Sequence, residues 1–403
     1  MAPAAPAPSS LQRLPRTVWI LGLVSLCMDL SSEMIHALLP VYLVTVLGAS
    51  MVEVGVIEGI AEATAMIVKI FSGVLSDWLG RRKLVAAAGY GLAAFTKPVF
   101  PLAGNLLWIV GARFVDRIGK GIRGAPRDAL IADVTPSALR GAAFGLRQAL
   151  DTVGAFLGPL TAIALMWLSS DRFKFVFWIA VVPAMVSFAL IVFMVEEPAR
   201  ATTSDKPAAK LRLADCARLP AIFWMVVAIA AVLTLARFSE AFLVLKAQNI
   251  GVPIAFIPAI MVVMNVVYAL TAYPAGAMSD RIGRRGVLIA GTAALIVADL
   301  VLAFAGSIVV TLAGVALWGL HMGLTQGLLS AMVADTAPAE LRGTAFGLFN
   351  LAGGIAVLAA SIGAGALWDS FGPAATFTVG AVVTAVGLAG LLALAQPSAA
   401  RPA

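Results

Sequence analysis

Two stretches of this chain carry nearly the same text. Gly73-Val-Leu-Ser-Asp77-Trp-Leu-Gly80-Arg81-Arg82 returns as Gly276-Ala-Met-Ser-Asp280-Arg-Ile-Gly283-Arg284-Arg285, an offset of 203 from Gly73 to Gly276. Ala132-Asp133, Pro136, Leu139-Arg140-Gly141 and Ala143-Phe144-Gly145-Leu146 return as Ala334-Asp335, Pro338, Leu341-Arg342-Gly343 and Ala345-Phe346-Gly347-Leu348, an offset of 202 from Asp133 to Asp335. Matches this far apart along the chain mean that whole halves repeat, not one borrowed loop.

Both halves are strongly apolar. Hydrophobic residues are 61% of the 403 and charged residues 12%, against about half and about a quarter in soluble domains. A soluble fold would have too little polar side chain to cover its surface. Twelve apolar runs, at 17–47, 52–76, 83–103, 105–132, 138–168, 173–195, 220–247, 253–278, 286–306, 308–335, 340–367 and 371–395, are each of a length to cross the membrane as helices. The predicted fold class is all-α integral membrane, with twelve transmembrane helices in two pseudo-symmetric six-helix bundles. Residues 1–16 form a tail, 17–195 the first bundle, 196–219 a linker, 220–395 the second bundle and 396–403 a second tail. Repeated membrane bundles of this kind characterise secondary transporters, whose site is expected where the halves meet.

Placing both termini and the linker in the cytoplasm gives that side most loop-borne basic residues, among them Arg81, Arg82, Lys83, Arg140, Arg281, Arg284, Arg285 and Arg342. The other side receives Arg172, Lys174 and Lys246. This asymmetry predicts a multi-pass protein of the cytoplasmic (inner) membrane with both termini inside. It also explains the net charge of +7, which suits lipid headgroups. No basic-aromatic patch suggests a nucleic-acid partner. Cys27 in helix 1 and Cys216 in the linker are not placed to pair, and they indicate neither a disulfide nor a cysteine metal site. The Ala/Pro/Ser-rich tail 1–16 reads as no cleavable signal.

The loop Gly73-x-x-x-Asp77-x-x-Gly80-Arg81-Arg82 joins helices 2 and 3, and its copy joins helices 8 and 9. In text and placement it resembles the best-known signature of the major facilitator superfamily, a likeness that extends over nearly the whole chain. Trp78 departs from the pattern, standing where a basic residue is usual; Arg281 keeps that character. The resemblance implies two halves that rock about a midplane cavity lined by helices 1, 4, 7 and 10. Physically, the glycines let the chain reverse tightly, Asp77 can face a helix N-terminus, and Arg81 can pair with Asp133 at the end of helix 4. Such contacts would hold one access state and break in the other. The positive-inside rule alone would account for the arginines but not for Asp77. The expected gating set is Gly73, Asp77, Gly80, Arg81, Asp133, Asp280, Arg284 and Asp335.

In helix 5, Gly145, Gly154 and Gly158-Pro159 resemble the superfamily's antiporter motif, which implies efflux by proton exchange. Ala162-Ile163 stands where a closing glycine pair is usual. Small residues four apart also serve close helix packing, and Pro159 permits a bend.

The repeat separates charges common to both halves from those peculiar to one. Arg113, Asp116, Arg117, Lys120, Arg123 and Arg127 recur at spacings of three and four, a polar stripe on helix 4. The matching stretch of helix 10 carries His321, Thr325 and Gln326 instead. Glu58, Glu62 and Lys69 of helix 2, and Arg147 and Asp151 of helix 5, likewise lack counterparts. A charge at membrane depth costs roughly 2.5–3.5 kcal/mol on insertion scales, so it persists only beside a cavity or a partner. The acids Asp29, Glu33, Glu58, Glu62, Asp116, Asp128 and Asp151 nearly balance the bases Lys69, Lys97, Arg113, Arg117, Lys120, Arg123, Arg127 and Arg147. That balance fits a self-neutralising network, whereas the basic surplus on helix 4 fits an anionic cargo; both readings stay open. Arg117-Ile-Gly-Lys120 also resembles the superfamily's helix-4 motif, which implies that Arg117 influences the proton site.

Asp29, Glu33 and His36 share one face of helix 1, and Ser239-Glu240 beside Arg237 in helix 7 echoes it in part. A carboxyl buried in apolar surroundings is suited to carry a proton near neutral pH. Asp29, Glu33, Glu58, Glu62 and Arg117 are therefore the expected proton-coupling residues. The expected substrate-lining residues are His36, Arg113, Asp116, Arg117, Lys120, Arg123, Arg147, Asp151, Arg237, Glu240, His321 and Gln326. A carboxylate–imidazole face can hold a divalent metal, but a chelate recognised through its organic ligand fits the basic stripe better. No metal site and no cofactor are assigned. The absence of a nucleophile–His–Asp set, a phosphate-cradling loop or an ATPase motif argues against an enzyme. The expected function is alternating-access transport of a small organic, in one reading anionic, solute. Coupling to protons and export are favoured, with a monomer in lipid as the working unit. The alternatives are a transporter of a siderophore or other metal chelate, and a non-transporting membrane sensor.

Overall fold

The computed structural model describes residues 13–136, 139–197, 218–338 and 341–393, without the side chains of Val74, Asp77, Ala277, Asp280, Arg281 and Ile282. Most of the linker, Cys216, most of the N-terminal tail, the whole C-terminal tail, and the side-chain roles expected of Asp77 and Asp280 lie outside the described residues.

The apolar runs form twelve helical rods. The first six are α1 (Arg16–His36, resuming as Leu39–Thr45), α2 (Met51–Leu79), α3 (Arg82–Thr96, resuming as Val99–Leu102), α4 (Leu106–Val134), α5 (Arg140–Ser169) and α6 (Phe173–Phe193). The second six are α7 (Ala221–Ala236, resuming as Ala241–Asn249), α8 (Ala259–Ile282, after a short turn Ile254–Phe256), α9 (Arg284–Ala303), α10 (Ile308–Thr336), α11 (Arg342–Phe371) and α12 (Pro373–Ala393). Among the described residues, nine spans are long and apolar enough to cross a membrane by themselves. The remaining three rods are α2, α3 and α4, the last carrying the charged stripe. Large apolar side chains such as Phe95, Leu107, Trp167, Phe193, Leu270 and Phe304 are exposed, as a lipid-solvated surface requires.

Local chemistry repeats with the sequence. Asn105 starts α4 by accepting from the Trp108 amide at 3.3 Å, and Ser307, its equivalent, starts α10 by accepting from Val310 at 3.4 Å. α1 and α7 are both interrupted, and they resume at Leu39 and Ala241. In α1 the cause is Pro40, which lacks an amide proton and clashes with the preceding turn. In α7 the Ser239 hydroxyl accepts from the Ala241 amide at 3.2 Å, just ahead of the resumed helix. The turn between α2 and α3 uses Gly80 and Arg81, with Gly80 at φ +65, whereas that between α8 and α9 uses Gly283 alone, at φ +87. Left-handed φ at these turns favours glycine. The second turn is one residue shorter, and there the repeat offset drops from 203 to 202.

By packing, the chain divides into two compact units, residues 1–42 with 64–210 and residues 43–63 with 211–403. In the first, α1 lies on α5 and α6, and α3 lies on α4. A Cβ on Gly89 would stand 2.8 Å from the Gly119 carbonyl, so two backbones meet there. In the second, α9 lies against α10 and α12, and α8 against α10. A Cβ on Gly319 would stand 2.5 Å from the Met264 carbonyl.

The sequence reading kept 43–63 with the first bundle. By packing this segment belongs with the second unit, because Gly55 and Gly59 let it press against Ser361 and Leu358 of α11, and Gly365 lets α11 press against Met51. Asp369 of α11 accepts from the amides of Met51 and Val52 at 3.1 and 2.9 Å.

Candidate functional site

The charged stripe of α4 turns mostly into the first unit. Arg113, Asp116, Arg117, Arg123 and Arg127 are buried, whereas Lys120 is exposed. Each buried member meets a partner from a neighbouring rod. Lys97, at the break in α3, donates to Asp116 at 2.8 Å and to Ser32 of α1 at 3.1 Å. Arg113 donates to His36 Nδ1 at 2.7 Å, and Arg117 approaches the same nitrogen at 3.5 Å. That nitrogen therefore accepts, and the proton of a neutral His36 sits on Nε2. Arg123 pairs with Asp29 at 3.5 Å and lies 5.1 Å from the centre of the Tyr90 ring.

Nearer the α4 C-terminus the network closes on itself. Arg127 meets Asp128 at 3.0 Å and Asp151 at 3.8 Å, while Arg147 meets Asp151 at 2.6 Å and Asp128 at 3.8 Å. Arg127 also donates to Ser25 at 2.8 Å, and Ser25 and Tyr90 share a hydrogen bond of 3.2 Å. Two cations and two carboxylates thus form a ring held by α4 and α5.

The glycines of α5 explain how α1 reaches this network. A Cβ on Gly154 would stand 2.7 Å from the Leu26 carbonyl and 3.1 Å from Asp29 Cβ; one on Gly158 would stand 2.6 Å from Glu33 Cβ. The two acid-bearing turns of α1 rest directly on the two glycines. Gly145, by contrast, has nothing within 4 Å of such an atom. Glu33 is half-buried, and the charges of Lys120, Asp29, Arg117 and Arg113 all act on it. Glu58 is buried and Glu62 half-buried, both on the segment of α2 that packs with the second unit.

In the second unit Arg237 and Glu240 flank the α7 break and are half-buried. Their charges reach Tyr268 of α8, and that of Arg237 also reaches His321 of α10. His321 Nδ1 lies 2.9 Å from the Gly291 carbonyl, so it carries the proton there. A cavity of about 330 Å³ runs between α8 and α10, from Tyr268 past Ala272, Gly323 and Gly327 to Arg284. Gln326, on the same helix, is half-buried and does not line this cavity.

The expected gating pair needs correction. Arg82, not Arg81, donates to Asp133, while Arg81 is exposed at the turn. In the second unit Arg284 donates to Asp335. The longer first turn shifts the pairing arginine by one position. A Cβ on Gly73 would stand 3.6 Å from the Ala125 Cβ, an ordinary contact. Ser25, Tyr90 and Tyr268 were not singled out by sequence, because spacing within one rod does not say which residue on another rod faces it.

The Major Facilitator Superfamily profile matches residues 21–245 and 235–403. The chain belongs to the major facilitator superfamily. As a member it is a multi-pass membrane transporter with the fold of that superfamily. It is 32% identical over 393 residues to the uncharacterized MFS-type transporter MJ1317 of Methanocaldococcus jannaschii, covering 95% of each chain. It is 30% identical over 197 residues to the quinolone resistance protein NorA of Staphylococcus aureus, a match covering 49% of this chain and 48% of that one. Among solved structures, a variant of the nucleoside transporter NupG superposes with a TM-score of 0.80 at 13% identity, over 94% of this chain and 99% of the other. That likeness concerns the fold alone.

Proposed function

We propose that this superfamily member is a proton-coupled exporter of a small organic solute, working as a monomer by alternating access in the cytoplasmic membrane with both termini inside. The observation that carries the reading is the seating of Asp29 and Glu33 on Gly154 and Gly158. These carboxyls are half-buried, and Asp29 holds Arg123 only at 3.5 Å. A proton arriving at Asp29 removes the charge that holds Arg123, so protonation and pairing compete for one group. Such competition lets a proton shift a conformational equilibrium, because it binds one arrangement better than the other.

Asp29 and Glu33 are assigned proton coupling. Lys120, Arg237, Glu240 and Gln326, the accessible polar groups, are assigned contact with solute. Arg113, Asp116, Arg117, Arg123, Arg147 and Asp151 form the framework that holds them. The half-length likeness to a quinolone resistance protein supports an organic cargo and outward movement. Exposed Lys120, with no counterpart in the second half, supports an anionic group on that cargo.

The test is transport by the purified chain in liposomes under a pH gradient of either polarity. The panel comprises cationic drugs, organic anions and metal chelates. An organic solute should move against the proton flow, and Asp29→Asn with Glu33→Gln should abolish gradient-driven movement while sparing solute exchange. Preference for chelates would favour the second reading, a metal-chelate transporter, which the same exposed Lys120 also serves. Movement of none under either polarity would leave a sensor.

A further inference from the structure

One ionisable side chain of the second unit stands apart from these clusters. Asp299 of α9 has no exposed surface, and neither carboxylate oxygen has a hydrogen-bond partner among the described residues. Asp299 and Phe238 meet at Gly380: a Cβ on Gly380 would stand 2.9 Å from Asp299 Oδ2 and 3.2 Å from the Phe238 ring. Phe238 in turn is ringed by Phe242, Trp318 and Phe377, with centroids 5.5, 5.4 and 5.4 Å away.

Among the described residues, the titratable groups on the elements packed against α9 are placed or bonded away from Asp299. On α10, His321 bonds Gly291, eight residues from Asp299 and so about 12 Å along the helix, and Asp335 holds Arg284 at the bundle end. On α8, Tyr268 faces Arg237 and Glu240 from the α7 break, Tyr273 is exposed, and Asp280 and Arg281 belong to the last turn. The α12 sequence has no titratable residue. Among the described residues, no cation donates to either oxygen of Asp299.

A carboxylate deprived of water, donors and cations is too costly to keep as an anion. We propose that Asp299 is a proton-binding site of the second unit, and that Phe238, seated at the break in α7, ties uptake and release of that proton to movement of the break. When Phe238 lifts, entering water takes the proton. Arg237, the residue before Phe238 in the chain, is a cation carried by the same break and able to meet the uncovered carboxylate. Trp318 Nε1, a buried donor without a hydrogen-bond partner among the described residues, is a second group able to meet it. Trp318 and Asp299 lie between the same two crossings of α9 and α10, at Gly291–His321 and at Leu302–Gly314. The use made of this proton rests on the proton-coupled reading above; its presence does not.

Infrared spectroscopy of the full chain in lipid separates the two. At neutral pH the spectrum should contain a carboxylic C=O band that is lost in Asp299→Asn, displaced in Asp299→Glu and retained in Asp29→Asn. Phe238→Ala should speed deuterium exchange of that band and move its titration toward lower pH. A carboxylate band lost in Asp299→Asn instead, or a carboxylic band abolished by sodium at constant pH, would overturn the proton site. If the band behaves as expected but Asp299→Asn transports with unaltered pH dependence, the link to α7 movement fails while the proposed function stands. If the wild-type chain shows no proton-driven transport, the proposed function fails whatever the band does.

Discussion

Arg82 donates to Asp133 across 51 residues of chain, and Arg284 reaches Asp335 across the same 51. The separation is preserved although the turns before the two arginines differ in length. What the repeat conserves is the distance from arginine to aspartate, not the arginine's place after the glycine.

Removing Arg82 should therefore matter where removing Arg81 does not. The Arg82–Asp133 side chains are 15% and 34% exposed, those of Arg284–Asp335 33% and 61%. Arg82→Ala should cost about 1 kcal/mol, Arg284→Ala less because solvent screens it, and Arg81→Ala close to nothing. A double-mutant cycle on Arg82 and Asp133, read by thermal unfolding of the purified protein, checks the coupling. A cycle that couples Arg81 instead would refute the shifted register.

Lys97 and Asp116 are nearly sealed, at 2% and 4% side-chain exposure. Lys97→Ala should destabilise by about 3 kcal/mol, since it takes from a buried carboxylate its hydrogen-bonded cation and leaves only the longer Arg117 contact at 3.9 Å. Replacing both, as Lys97→Met with Asp116→Leu, should restore most of the loss. Melting temperatures of the single and double variants decide the matter; a double variant no better than the single would show the pair has another task.

Gly154 and Gly158 should tolerate no side chain. Gly158→Val drives a Cβ against Glu33 and the Leu30 carbonyl and should cost about 1–3 kcal/mol of stability. Gly145→Ala, in open space on the same rod, should be neutral or gain about 0.4–1 kcal/mol. Equal loss in both would mean that the motif acts through helix propensity and not through contact with α1.

Asp369 fixes the start of α2 through two amides. Asp369→Ala should cost about 1 kcal/mol, as loss of a helix cap does, and raise hydrogen exchange at Met51 and Val52 selectively. Asp369→Asn, which keeps an acceptor, should protect them. Unchanged exchange in the alanine variant would show that packing through Gly55, Gly59 and Gly365 suffices.

The rods were legible because hydrophobic run length is a property of one segment, and the repeat marks equivalent turns. The Pro40 interruption was also within reach of a sequence reading, whereas the one at Arg237–Glu240 carries no proline and depends on Ser239 meeting Ser361 of another rod. The α4 stripe was visible as a stripe. Its division into a buried framework and an exposed Lys120 was not, since only assembly tells which neighbour fills each side. Asp299 gives only a faint signal in the sequence, because it is one acid in an apolar run with no second charge at helical spacing to mark a face.

The ring of Arg127, Asp128, Arg147 and Asp151 can pair in two complementary ways, each cation taking one carboxylate or the other. Exchanging one arrangement for the other transfers no net charge along the membrane normal. A rearrangement built on such an exchange does no electrical work against a transmembrane voltage, so any voltage sensitivity of this protein must arise from other groups.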